Sequence, residues 1–262
     1  MKRSWLLLPA LALTASCLTL GVPQVTSAQS AVTHAPRIRL ARTKNATASG
    51  YGWSSSNWSG YALSGNAGQY NSITGVWTVP TVQATKGSSY SSNWIGIDGF
   101  NNSDLIQTGT EQDYYSGSGH YDAWWEILPA AETVITNMTV NPGDVMNADI
   151  QNDGNGNWTI TIKDVTEGET FTTTQAYSGP AESAEWIEEA PTIGGRVATL
   201  ANYGTATFDP GTVNGVDPGL VIGDGGVMVQ KRQQVSTPSQ PDSDTDGFAV
   251  AYGSTAPAAP AS

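Results

Sequence analysis

The chain has 262 residues, 39% of them hydrophobic and 13% charged, with 29 glycines, one cysteine and a formal charge of −12. So acidic a chain repels nucleic acid and anionic membrane surfaces, and neither is an expected partner. Its one cysteine, Cys17, lies near the start and leaves the rest without a disulfide, a thiolate nucleophile or a cysteine-ligated metal.

Lys2 and Arg3 precede an apolar run from Trp5 to about Val22, followed by Val25-Thr26-Ser27-Ala28. That order predicts a secretion signal over residues 1–28, because Pro9 and the Thr, Ser and Cys interruptions spoil a membrane span. The remaining length can bury the core of one domain without disulfides. Residues 29–50 are expected to be a basic propeptide or linker. Six of the 11 basic residues fall before position 45, whereas the first acidic residue is Asp98. From position 45 onward, five basic and 23 acidic residues leave a formal charge of −18. Arg37, Arg39, Arg42 and Lys44 are therefore expected to dock on the acidic domain near Glu126 and Glu185, and to release when acid neutralises the carboxylates.

Residues 51–254 read as one domain of short strands. Residues 71–79, 92–97, 121–127, 157–164 and 185–187 carry β-branched and aromatic residues, often alternating with small polar ones. Asn152-Asp153-Gly154-Asn155-Gly156 is a turn of the kind that joins hairpin strands. No segment predicts an amphipathic helix longer than two turns, so the expected fold is an all-β antiparallel sandwich. The Ala- and Pro-rich tail, 255–262, is expected to be disordered.

Elimination narrows the chemistry. There are two histidines: His34, in the expected propeptide, and His120, read as a surface loop residue beside Ser116–Gly119. No Gly-x-Ser-x-Gly elbow, zinc-ligand set or phosphate-binding glycine loop occurs. Neither a cofactor nor a metal is expected. Carboxylates, amides and aromatics remain, in the words Asn93–Gly99, Leu105–Gly109, Tyr121–Glu126 and Ala184–Glu188. A carboxyl group among large apolar side chains is desolvated, which makes its pKa tunable for acid–base work. Alternation puts Trp94, Gly96 and Asp98 on one face of a strand, and Asp122, Trp124 and Glu126 on one face of another.

With Asn57–Tyr61, Thr74–Pro80, Trp94–Gly99, Ile106–Gly109, Tyr121–Glu126 and Ala184–Ile187 in this order, the sequence resembles the glutamic peptidases, or eqolisins. The resemblance implies two packed antiparallel sheets, lectin-like, with a cleft across one concave face. It implies that Gln107 and Glu185 hold the attacking water, that Asp98 supports them by hydrogen bonding, and that Trp94, Trp124 and Glu126 lie along the substrate cleft. The chain departs from the fungal pattern in lacking disulfides and in having Leu128 where those members carry a tyrosine.

The function so implied is a secreted, monomeric acid endopeptidase acting on polypeptides without a covalent intermediate. Two alternatives stay open on the residues alone. One is a lectin-like carbohydrate-binding module. The other is a glycosidase pairing Glu126 with Glu185.

Overall fold

A computed structural model describes residues 32–41 and 49–262. The expected secretion signal, Cys17, Arg42 and Lys44 lie outside the described residues. Nearly all regular structure is β, the exception being a single 3-10 turn at Ile222–Asp224. No helix among the described residues is long and apolar enough to cross a membrane.

The strands form one long hydrogen-bonded ladder that doubles back on itself. One half runs through Glu169–Ala176, Asn157–Asp164, Val145–Asn152, Ser72–Thr78 and Thr205–Val213. The other runs through Trp58–Ser64, Ser183–Glu189, Ser92–Ile97, Ile106–Tyr115 and Ser118–Ile127. Phe248–Tyr252, Gln233–Pro238 and Gly225–Gln230 connect the halves. Pairing along this path is antiparallel throughout. The ladder contains all five expected strands with ends within three residues; the expected 185–187 strand extends to Ser183–Glu189. The turn at 152–156 joins two neighbouring strands, as its composition requires.

Two indoles tie the halves face to face. Trp186 donates from Nε1 to the Thr74 carbonyl at 2.8 Å, and Trp77 donates from Nε1 to Thr110 Oγ1 at 3.0 Å. Around them Ile73, Ile95, Ile97, Ile106, Ile150, Ile160 and Phe208 complete one apolar core. Alternation explains which residues enter it: Ile95, Ile97 and Trp186 point inward, so Trp94, Gly96, Glu185 and Ile187 point to the opposite face. On that face Trp58, Trp94, Trp124, Leu105 and Ile187 form a second apolar cluster. Trp94 and Trp124 are fully buried in this second layer rather than between the sheets.

Residues 255–262 carry no regular element, and the Ser262 hydroxyl bonds with that of Ser243. His120 lies not in a loop but on Ser118–Ile127, stacked on Tyr115 with ring centroids 3.7 Å apart. The glycine-rich stretch before it is the tip of the hairpin that the strand leaves.

Gly75 shows how tightly the layers meet, since a Cβ there would lie 2.7 Å from Ile95 Cγ2 and 3.0 Å from Trp186 Cδ1. Gly75→Ala should therefore cost about 1–3 kcal/mol in urea unfolding, with the fold retained.

Candidate active site

Three adjacent rungs of the ladder build the face opposite the core. The first pairs Ala62, Glu185, Gly96, Gln107 and Glu126 in register across five strands. The second, two residues along, aligns Gly60, Ile187, Trp94, Gly109 and Trp124, and the third aligns Trp58, Glu189, Ser92, Glu111 and Asp122. Gly96 is the gap in the first rung. It stands between Gln107 and Glu185, whose backbones are two strand spacings, about 10 Å, apart. Gly96 adds no side chain of its own, and Trp94 and Leu105 pack over it: a Cβ there would lie 2.9 Å from Trp94 Cζ3 and 3.1 Å from Leu105 Cδ1. Gly109 plays the matching role in the second rung, where a Cβ would meet the Asn93 carbonyl at 2.3 Å and Trp94 Cβ at 2.5 Å.

Gln107 and Glu185 are both fully buried. Gln107 Nε2 donates to Glu126 Oε2 at 2.8 Å and to the His34 carbonyl oxygen at 2.8 Å. Neither Gln107 Oε1 nor either Glu185 oxygen makes a well-formed hydrogen bond to the described residues. Burial pushes the Glu185 pKa well above the usual carboxylate range. The Ser183 hydroxyl beside it opposes the rise, Asp98 adds to it and Arg37 opposes it. Burial likewise lifts Glu126 to about 8, although the charge and amide of His34 pull it down.

Asp98 ends its strand with φ 74°, so strict alternation with Trp94 and Gly96 stops there. Its carboxylate accepts hydrogen bonds from Tyr177 Oη at 2.6 Å, the Ala181 and Glu182 amides at 2.8 and 3.0 Å, and Asn102 Nδ2 at 3.0 Å. None of these comes from Gln107 or Glu185. Asp98 instead anchors the chain that enters the Glu185 strand, where its own amide also donates to the Ser183 carbonyl.

Trp94 donates from Nε1 to Glu189 Oε2 at 2.8 Å, and Trp124 donates to Ser92 Oγ at 3.2 Å. These bonds fix the two rings in the floor beneath residues 32–41.

Residues 32–41 run over this floor. Val32–Thr33 pairs with Thr192–Ile193 at one side, and Arg39–Leu40 pairs with Trp53–Ser55 at the other. Between them the backbone is held by side chains of the domain. The His34 amide donates to Glu126 Oε2 at 2.9 Å and the Ala35 amide to Glu189 Oε1 at 3.1 Å. Trp58 Nε1 donates to the Ala35 carbonyl at 3.0 Å, and Asn57 Oδ1 accepts from the Ile38 amide at 2.8 Å.

His34 is fully buried and stacks on Trp124, with centroids 3.5 Å apart and planes within 5°. Its Nδ1 lies 3.3 Å from Glu189 Oε2, and its Nε2 lies 3.0 Å from Glu132 Oε2 and 3.7 Å from Glu111 Oε1. Both ring nitrogens thus face carboxylates, which is the environment of an imidazolium. Burial works against that charge, but the bonds to Glu132 and Glu189 outweigh it and hold the pKa well above the ordinary value.

The expected hold through arginines takes another form. Arg37 lies 3.5 Å over the Phe100 ring, and Arg39 Nη2 donates to Asn101 Oδ1 at 2.7 Å. Within the described residues the ion pairs of this segment are those of His34. Burial lowers the Arg37 pKa to about 10; Arg39 adds to the fall and Glu185 opposes it.

Sequence reasoning passed over Glu189, Glu111, Glu132 and His34. Glu189 is four residues beyond Glu185 on the same strand, and Glu111 is four beyond Gln107, so alternation would have found both. Nothing in the local sequence marks Glu132 or His34.

Comparison with known proteins identifies the lineage of this face. The Peptidase A4 family matches residues 56–252, which hold all three rungs. The chain belongs to that family, the glutamic peptidases. It is 31% identical over 180 residues to aspergillopepsin-2 of Aspergillus niger, an alignment covering 59% of this chain and 62% of that one. It is 31% identical over 116 residues to scytalidopepsin B of Scytalidium lignicola, covering 44% of this chain and 42% of that one. The chain thus spans less than two-thirds of either relative. Its fold is similar to that of scytalido-glutamic peptidase solved with a transition-state analogue inhibitor. That match has a TM-score of 0.63 at 21% identity and covers 75% of this chain and 98% of that one.

The pKa directions imply a pH window for the docked segment. Because His34 has its pKa raised on docking, docking binds a proton. The His34 contribution is full below about pH 6.5 and is lost as pH rises through the raised value. At the acid end the contribution fades as Glu189 takes up a proton. For Glu189 this begins above the usual carboxylate range, because burial raises its pKa despite the bonds from His34, Trp94 and Asn57. A synthetic peptide of residues 29–50, titrated against chain lacking that segment, should bind with a bell-shaped pH dependence. His34→Ala in the peptide should weaken binding about tenfold or more, and Arg39→Gln should weaken it less.

Proposed function

We propose that this chain is the precursor of a secreted acid endopeptidase, with Gln107 and Glu185 as its catalytic pair and residues 29–50 as its propeptide. The observation that carries the reading is the 2.8 Å hydrogen bond from Gln107 Nε2 to the carbonyl oxygen of His34, in a peptide lying across the three rungs. A donor aimed at a peptide carbonyl is what a developing oxyanion requires. Family membership favours this reading over a lectin-like module or a glycosidase.

In the proposed reaction a water oxygen attacks the substrate carbonyl carbon while Glu185 takes the water's proton. The Gln107 amide stabilises the oxyanion, and Glu185 then passes the proton to the amine nitrogen as the C–N bond breaks. Glu126 holds the second N–H of Gln107, which fixes the direction of the amide. Asp98 secures the segment through which the chain enters the Glu185 strand. Trp94 and Trp124 form the floor on which the substrate lies.

Residues 32–41 supply the latent state. They cover Gln107 as a substrate would, and in this state burial raises the Glu185 pKa well above the usual carboxylate range, so that less of it is the ionised base. Acid removes the carboxylate charge that holds His34. Once the segment leaves, water reaches Glu185 and its pKa falls back toward the ordinary range, allowing an ionised base in mild acid.

Glu185→Gln and Gln107→Ala should each abolish hydrolysis of denatured casein at pH ~3–4 while leaving circular dichroism unchanged. More than about a tenth of the parent kcat in either purified variant would remove that residue from the mechanism. The optimum should lie below pH 6, with no loss of activity to reagents that acylate serine.

A further inference from the structure

Between two of the strands that connect the ladder's halves, Gln233–Pro238 and Phe248–Tyr252, the sequence reads Asp242-Ser243-Asp244-Thr245-Asp246-Gly247. Carboxylates at the first, third and fifth positions with glycine at the sixth are the opening of a calcium-binding loop. The alternating spacing brings the oxygens together, and the glycine permits the sharp turn. In helical calcium loops a glutamate at the twelfth position completes the ligand set; here that position is Gly253. A strand follows the loop instead, and the pairing of Phe248 with Phe208 carries it back alongside Asp209.

Asp209 stands where the register of its strand shifts, between Phe208 and Gly211. Its carboxylate, with those of Asp242 and Asp246, offers oxygens within 4.8 Å of one another. Ligands on opposite sides of an ion bound at 2.3–2.6 Å stand about that far apart. Gly247 makes the approach possible, because a Cβ there would lie 2.5 Å from Asp242 Oδ2 and 2.8 Å from Asp209 Cγ.

A second observation separates this cluster from an ordinary acidic surface. Asp242 is only 7% exposed. Its Oδ1 accepts from the Gly247 amide at 3.2 Å and the Thr245 and Asp246 amides also face the carboxylate, but its shielded Oδ2 receives no well-formed hydrogen bond among the described residues. Asp246 Oδ1 is shielded and undonated as well. A buried carboxylate oxygen without a donor or cation is costly. No lysine, arginine or histidine pairs with any of the three among the described residues, where every ion pair belongs to His34.

We propose that Asp209, Asp242 and Asp246 bind one calcium ion. All-oxygen, multi-carboxylate ligation suits a hard cation, and irregular geometry from a loop and a bulge favours calcium over magnesium. Asp244, at the loop's third position, adds negative field: after burial, it is the largest influence raising Asp246 to about 6. The ion would pin the loop to the bulged strand. From there a short path leads to the catalytic strand: the Asp246 carbonyl accepts from the Gly211 amide at 2.8 Å, and a Cβ on Gly211 would meet Trp186 Nε1 at 2.7 Å. Trp186 is the neighbour of Glu185. The site is thus a structural clamp in a chain whose folded domain has no cysteine, and it stands apart from the peptidase reading.

The test uses the full chain carrying Glu185→Gln to prevent self-digestion, stripped with EDTA at pH 7.5. Titration with CaCl2 in a calorimeter should show one ion per chain, with MgCl2 at least about tenfold weaker. At a hundredfold excess of calcium over Kd, Tm should rise by about 5–10 °C. Asp246→Asn should weaken calcium binding about tenfold or more and remove most of that rise, whereas Glu132→Gln, which alters the other group of acids, should change neither. Absence of both heat and Tm shift in the parent at about 10 mM CaCl2 would overturn the assignment, whatever the fate of the variants. So would binding that survives Asp246→Asn and disappears in Glu132→Gln.

Discussion

A strand shows alternate side chains to opposite faces, so pairing Gly96 with Gln107 on one side and Glu185 on the other dictates the chemistry of the cleft. A slip of one residue would turn Gln107 and Glu185 into the core and bring Ile106, Thr108, Ala184 and Trp186 out. The slip is resisted on both faces. Inside, Trp186 is bonded to Thr74 through a space left by Gly75 and Gly211. Outside, Gly109 admits Trp94, whose indole is bonded to Glu189. The same packing that stabilises the sandwich therefore sets the separation of the amide and the carboxyl.

The acidic face that results has a physical problem of its own. Glu126, Glu185 and Glu189 line it together with Glu111, and burial raises the pKa of each. The segment 32–41 meets this with one cation placed where ring stacking and carboxylates converge. Arg37 and Arg39 contribute through a ring and an amide instead. An imidazolium among glutamates is a hold that acid can release from the carboxylate side and base from the imidazole side, which an arginine would not offer.

Much of this was legible in the sequence. Asn157–Asp164 alternates cleanly and forms the strand it announces, because both neighbouring strands leave one of its faces polar. The words around Gln107, Glu126 and Glu185 stand in register on one face. Other features were hidden for identifiable reasons. Asp98 leaves the β region at its own residue, so period-two counting overshoots by one position. His34 sits in a stretch with no hydrophobic period, and its partner Glu132 is 98 residues away on a connection; only the closed fold brings them together. The Asp242–Gly247 spacing was regular enough to be read, but its fourth-side carboxylate, Asp209, comes from another strand and has no sequence signature.

A peptide of this chain already lies on Gln107 as a substrate would, and a crystal structure of the Glu185→Gln full chain at neutral pH can show it there. The expected result is the segment ordered over Gln107, the His34 ring on Trp124, and the His34 carbonyl oxygen within about 3 Å of Gln107 Nε2. A cleft without residues 32–41, or with another part of the chain on Gln107, would contradict it.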